Sequence, residues 1–361
     1  MKIKNNESLK KHNTFSIDVK AKHFSEVKSV KQSIEVLQKF KNENILILGE
    51  GSNTLLMDDW DGLALKIQIK GKDIVKEDNQ NIQIQVSAGE NWDKFVKYTV
   101  KKNLAGIENL VMIPGTVGGA VAQNIGAYGQ NIIDSLVSID AIRISDLKII
   151  HLSPKECDFK YRSSKFKNDW RNKYIITSAT FNLKKHTKEF ELSYHERAGR
   201  YGSLKEELES FAKEPYSIKN VMKAVIKQRT KRLPSVEEYG TCGSFFENPL
   251  VTFSKYKELI KIITDLQCYP SEDLKYNLND TGEFNNNDLV KIPAGRLLDE
   301  LGWKGKWNGN VGISEKHALC VVTNKKATGE EVYNFIKSMQ EDIKNKYDIK
   351  LKPEVNIIFN Y

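Results

Sequence analysis

The spacing of apolar residues divides this chain into a mixed succession of helices and strands. In SEVKSVKQSIEVLQKF (25–40), Val27, Val30, Ile34 and Leu37 recur at helical spacing, and Ser25 stands where an N-cap hydroxyl would. The segment NILILGEGSN follows, with a continuous apolar run at 45–48 that stops at Gly49 and Gly51, the pattern of a buried strand feeding a glycine turn. TLLMDDWDGLALKIQIK (54–70) reads as extended with a turn near Asp61 and Gly62, and IQIQVSAGE alternates as a half-buried strand does. ENWDKFVKYTVKKNLAG (90–106) puts Trp92, Phe95, Val96, Val100 and Leu104 on one helical face before Gly106.

Further strands are predicted in SLVSIDAIRI and KYIITSATFNL, and the polar stretch 185–218 reads as a loop or lid. A helix carrying Val221, Met222, Val225 and Ile226 runs into the cations Lys227, Arg229, Lys231 and Arg232 and is stopped by Pro234. Thr328 and Glu331 have capping-box spacing ahead of a helix with Val332, Phe335, Ile336, Met339 and Ile343 on its apolar face. The last stretch, IKLKPEVNIIF, reads as a strand with Glu354 embedded in it.

Composition narrows the class without deciding it. A chain of 361 residues, 40% hydrophobic and 29% charged, can bury a sizeable core and form two or three domains. No apolar run approaches bilayer-crossing length, and MKIKNNESLKKHN lacks the apolar stretch of a signal peptide, so a cytoplasmic protein is expected. Cys157, Cys242, Cys268 and Cys320 lack metal-ligand spacing, which predicts reduced, mostly buried thiols and no metal site. The formal charge of +9 is spread along the chain in alternation with acids, so an anionic small ligand accounts for it without nucleic acid.

The candidate chemistry lies in two glycine-rich runs and one serine. GEGSN cannot be a dinucleotide fingerprint, because Thr54 stands where the third glycine would be. IPGTVGGAVAQNIGAYG (113–129) carries Gly115, Gly118, Gly119, Gly126 and Gly129, bracketed by apolar residues and accompanied by Gln123 and Asn124. Such a run lets a flat or phosphorylated ligand approach the backbone closely. In GTCGSFFENP, Ser244 is no nucleophile elbow, since Phe246 replaces the required glycine, and none of the six histidines stands in a setting that marks it as a partner. A turn residue and a proton donor remain as readings of Ser244.

Taken in order, NTFSIDVKA, ILGEGSN, IENLVMIPGTVGGAVAQNIGAYG, YRSSKFK, RTKRLP, GSFFENP and LKPEV give a sequence that resembles the UDP-N-acetylenolpyruvoylglucosamine reductase family nearly end to end. These flavoenzymes complete UDP-N-acetylmuramic acid in bacterial peptidoglycan synthesis. The resemblance implies an α+β fold, with an FAD-binding module of the vanillyl-alcohol-oxidase type joined to a smaller α+β substrate domain. It implies a division into residues 1–70 with the returning strand 348–361, residues 71–215 including a tyrosine loop at about 185–215, and residues 216–347. It also implies FAD and NADPH as cofactors, a UDP-sugar as substrate, and a monomer with no obligate protein partner.

Site residues follow from the same resemblance. Gly49, Glu50, Gly51, Ser52 and Asn53 would lie along the FAD pyrophosphate. Ile113, Pro114, Gly115, Thr116, Gly118, Gly119, Gln123, Asn124, Gly126, Ala127, Tyr128 and Gly129 would reach the flavin ring and phosphates. Arg162 would grip the substrate carboxylate, Glu354 would polarise it from across the site, and Ser244 would donate the proton. Tyr161, Tyr194, Arg229, Arg232, Asn248 and Lys291 would bind the UDP-sugar. Tyr194 suggests the subclass with a tyrosine loop, while Arg296 stands where the family has an aromatic residue. Two other classes fit parts of the pattern: another FAD-dependent oxidase of this flavin-binding architecture and, from charge alone, a nucleic-acid-binding protein.

Overall fold

The computed structural model describes residues 2–192, 203–271 and 284–360. Its first sheet has the strand order Ile3–Ser8, Lys20–Val27, Trp60–Ile67, Asn44–Leu48. Lys20–Val27 and Asn44–Leu48 both run parallel to Trp60–Ile67, and the helix Val30–Lys39 makes the crossover between them. This corrects two expectations. Ser25 and Val27 belong to a strand, and the helix is capped instead by Ser29, which accepts from Gln32 N–H at 3.1 Å. Gly62 lies inside a strand, where an added Cβ would meet the Asn44 carbonyl at 2.3 Å, so close strand packing rather than a turn requires the glycine.

A six-stranded antiparallel sheet follows, ordered Ile149–Leu152, Leu136–Arg143, Tyr174–Lys185, Asn81–Ser87, Lys72–Glu77, with Leu104–Ala105 pairing onto the end of Tyr174–Lys185. The alternation of Asn81–Ser87 puts Ile82, Ile84 and Val86 inward. Trp92, Phe95 and Val96 of the helix Trp92–Lys101 join the same core, and the Trp92 ring meets Phe181 edge-on at 5.8 Å. That helix is one turn shorter than expected, which leaves Leu104 in the short strand. The stretch predicted as loop contains the helix Leu204–Glu209, and the next helix, Ile218–Arg232, packs Val221, Ala224 and Val225 into the same core.

The C-terminal third holds a four-stranded sheet ordered Gly240–Ser244, Cys320–Thr323, Val311–Ile313, Trp307–Asn308, with the helix Gly329–Tyr347 against it. The helix starts at the expected capping box, with Glu331 N–H donating to Thr328 Oγ1 at 3.1 Å and Thr328 N–H to Glu331 at 2.7 Å. Arg296, in place of an aromatic, donates to the Thr264 carbonyl at 2.8 Å and pairs with Glu300 at 2.7 Å, so hydrogen bonds replace ring packing there. Phe245, Phe246 and Val321 share one core with Phe15, Leu46, Leu48 and Leu55, which presses the Ser244 strand onto the N-terminal segment. The terminal strand is only Asn356–Ile358. It pairs in parallel with Thr54–Leu56 and leaves Glu354 in the irregular segment before it. Among the described residues no helix is long and apolar enough to cross a membrane.

Candidate active site

The strand Asn44–Leu48 delivers residues 49–53 to the mouth of a cavity of about 280 Å³. Gly51 adopts φ +65°, and a Cβ there would stand 2.1 Å from the His12 carbonyl, so only glycine fits. The N–H groups of Glu50, Gly51, Ser52 and Asn53 donate to no protein acceptor among the described residues. The Glu50 carboxylate turns onto the second glycine run: it accepts from Asn91 at 2.9 Å and from Gly115 N–H at 3.1 Å. Ser52 donates to the Pro114 carbonyl at 3.3 Å, so the two runs form one wall.

The second run divides in two. Ile113, Pro114, Gly115, Thr116, Gly118, Gly119 and Gln123 line the cavity with the first run. Thr116 caps the short helix Val117–Gln123 by accepting from Gly119 N–H at 3.3 Å. Asn124, Gly126, Ala127, Tyr128 and Gly129 are not in its lining; from Gly126 they build a hairpin whose turn takes positive φ at Tyr128 (48°) and Gly129 (84°). Asn109 donates to the Tyr128 carbonyl at 2.8 Å and fixes that turn. Asn124 donates to the Lys160 carbonyl at 2.7 Å, and the Gly126 carbonyl accepts from Arg162.

Glu354 lines the cavity, and Arg162, which is not in its lining, meets it with Nε to Oε1 3.5 Å and under a fifth of either side chain exposed. Burial pushes the Glu354 carboxyl above its ordinary range; Arg162 and Lys167 pull it back, and Glu247 adds to the rise. Glu354 N–H donates to the carbonyl of Phe245, the residue after Ser244, at 2.8 Å. The Ser244 hydroxyl is half-buried and makes no hydrogen bond among the described residues.

Tyr161 joins this group, with the Arg162 guanidinium 5.0 Å and the Lys291 ammonium 4.1 Å from its ring centre. Asn248 accepts from Ala294 N–H at 3.0 Å, at the start of the helix Ala294–Glu300. Arg229 reaches the Met112 carbonyl at 3.2 Å and so braces the loop that opens the second glycine run; burial lowers its pKa. Tyr194 lies outside the described residues. Arg232 contributes its charge beside His317, a residue whose sequence neighbourhood gives it no distinction. His317 Nδ1 accepts from Leu319 N–H at 3.1 Å, and burial, then Arg232 and Lys304, lower its pKa to about 4, with Asp299 opposing.

Sequence reasoning passed over Lys167, Phe166, Arg171 and Tyr174, all of which line the cavity. Lys167 and Phe166 lie inside YRSSKFK, where the motif itself was the available signal; nothing in the sequence marks Arg171 or Tyr174. The cysteines are free thiols, and burial pushes Cys157, Cys242 and Cys320 up to about 12, which leaves them unreactive.

Residues 235–358 match the C-terminal domain of UDP-N-acetylenolpyruvoylglucosamine reductase, and residues 21–153 match an FAD binding domain. The UDP-N-acetylenolpyruvoylglucosamine reductase of Flavobacterium johnsoniae is 38% identical over 358 residues, which cover 99% of this chain and 100% of that protein. The one from Paraburkholderia xenovorans is 34% identical over 350 residues, 96% of this chain and 95% of that protein. The crystal structure of the reductase from Thermus caldophilus matches over 99% of both chains with a TM-score of 0.65 at 22% identity, a likeness of fold. The chain belongs to the UDP-N-acetylenolpyruvoylglucosamine reductase family, α+β oxidoreductases with an FAD binding domain.

Proposed function

We propose that the chain reduces the enolpyruvyl group of UDP-N-acetylglucosamine enolpyruvate to the lactyl group of UDP-N-acetylmuramate, with NADPH as reductant and FAD as the bound carrier. The observation that carries the reading is the Arg162–Glu354 pair, whose acid lines the glycine-walled cavity, with Ser244 one residue from the carbonyl that holds Glu354. We divide the chain accordingly into residues 1–70 with 348–361, 71–215, and 216–347.

The cavity fits FAD. The four unpartnered N–H groups of residues 50–53 suit an anionic diphosphate, and Gly119 leaves open space where a Cβ would meet only Thr116 Oγ1 at 3.5 Å. Ile113, Ile125, Phe166 and Ile176 give an apolar surface for a flat ring. When bound, the flavin supplies the hydride chemistry that no side chain can perform.

The protein's own residues then orient the substrate and control its charge. Arg162 offers a permanent cation and a bidentate fork for the substrate carboxylate, where negative charge gathers as the double bond is reduced. Glu354, held partly toward its neutral form by burial, can share a proton with that carboxylate. The Ser244 hydroxyl donates its proton to the electron-rich carbon, a transfer driven by the carbon's high basicity. Lys291, stacked over Tyr161, supplies positive charge for the UDP-sugar, and Arg232 and Asn248 contribute to its binding.

The reading places the protein in the cytoplasm, where the UDP-sugar and NADPH are found, as a monomer with no obligate protein partner. Mass spectrometry of the product tests the reading: UDP-sugar-dependent NADPH oxidation should yield a product two hydrogens heavier. NADPH oxidation that depends on oxygen and leaves the sugar unchanged would instead indicate an oxidase.

A further inference from the structure

Lys167 has a set of contacts that the scheme above does not use. Its ammonium donates to the Arg162 carbonyl at 2.9 Å and to the Glu354 carbonyl at 3.2 Å. It also stands 3.7 Å from Glu247 Oε1, and its side chain is only 11% exposed while lining the cavity. Glu247 in turn pairs with Lys352 at 3.3 Å, a largely exposed lysine. One cation thus joins the two segments that supply Arg162 and Glu354.

Two buried carbonyls could be satisfied by a neutral donor, whereas burying an ammonium is costly unless its charge is matched. The charge is therefore the feature to be explained. The charged groups facing Glu354 are Arg162, Lys167 and Glu247. The two cations favour its ionised form, and Glu247 disfavours it along with burial. Lys167 itself is held below its ordinary range, by burial first, with Glu247 and Glu354 opposing and Lys352 and Arg162 assisting.

We propose that Lys167 is a positioning residue for the reduction: it fixes Arg162 and Glu354 through their carbonyls, and its charge sets the pH at which Glu354 loses its proton. The inference rests on the reading of Glu354 as the polarising acid. Removing Lys167 raises the pH of that proton loss, and removing Glu247 lowers it, whichever form of Glu354 is active.

The test titrates the protonated-carboxyl infrared band of the FAD-loaded enzyme, assigned to Glu354 by its loss in Glu354→Gln. In parallel it follows the pH profile of reduced-flavin reoxidation by the UDP-enolpyruvyl sugar. Lys167→Met should move both midpoints up by about one pH unit or more. Glu247→Gln should move them down, and Lys352→Gln should leave them in place. Should Lys167→Met fail to retain FAD, Lys167→Gln, which keeps a neutral donor for the two carbonyls but no charge, takes its place, and unmoved midpoints in it overturn the proposal. A band that vanishes in Glu354→Gln but stays put in Lys167→Met and Glu247→Gln would make Lys167 a structural tie only. A pH transition that survives Glu354→Gln would instead remove the reading of Glu354 on which the proposal rests.

Discussion

Glu354 N–H donates to the Phe245 carbonyl at 2.8 Å, so the residue after Ser244 holds the backbone of the acid that pairs with Arg162. With the bond from Glu247 N–H to the Lys352 carbonyl at 2.9 Å, it ties the C-terminal segment to the residues that follow the strand Gly240–Ser244, and so ties the acid's segment to that of Ser244. Phe245 and Phe246, almost wholly buried, anchor that strand from behind.

Ser244→Ala should slow reoxidation of reduced flavin by the UDP-enolpyruvyl sugar by about 10²–10⁴-fold, the usual range for a positioned acid. Flavin reduction by NADPH and the visible spectrum should stay as in the parent, because the role proposed for Ser244 is to protonate the sugar and belongs to the second half-reaction alone. Stopped-flow measurement of the two half-reactions separates them, and an unchanged reoxidation rate would assign the proton to another donor.

The two glycine runs give a paired prediction. Gly51→Ala forces a Cβ to 2.1 Å from the His12 carbonyl at φ +65°, and should cost the apoprotein about 1–3 kcal/mol in denaturant unfolding. Gly119→Ala meets only ordinary contact at 3.5 Å and should leave apoprotein stability unchanged while weakening FAD binding tenfold or more, read by flavin fluorescence. Unchanged FAD affinity in Gly119→Ala would move the cofactor away from this wall.

His317 should make stability depend on acid. Its folded-state pKa, near 4, lies below the ordinary 6.5, so the stabilisation is complete above 6.5 and is lost as pH falls toward 4. At about 1.4 kcal/mol per unit, the loss is up to about 3 kcal/mol. Protonation also removes Nδ1 as acceptor for Leu319 N–H. Unfolding free energies of the parent and His317→Gln between pH 4 and 7 check this: the variant's slope should be flatter, and equal slopes would refute it.

What the sequence reveals follows the range of each interaction. The capping box at Thr328 and the alternation of 81–87 are local, so both elements could be read directly. Val27 satisfied a helical spacing and a strand face at once; pairing with Trp60–Ile67 decided for the strand, and that neighbour lies too far along the chain for local spacing to reveal it. Glycine density marked the cradle but could not separate Gly115 and Gly118, which face the cavity, from Gly126 and Gly129, which serve a hairpin. Motifs held Arg162, Lys167, Glu247 and Glu354 alike, but Lys167 and Glu247 read as solvated charges within them until distant segments bury the two together.

The most direct test of the account is the visible absorption spectrum of the purified protein, taken without air before and after NADPH and then after the UDP-enolpyruvyl sugar. The account predicts a flavin band that bleaches with NADPH and returns with the sugar. A colourless protein that takes up no added FAD, or a bleached band that the sugar fails to restore, would contradict it.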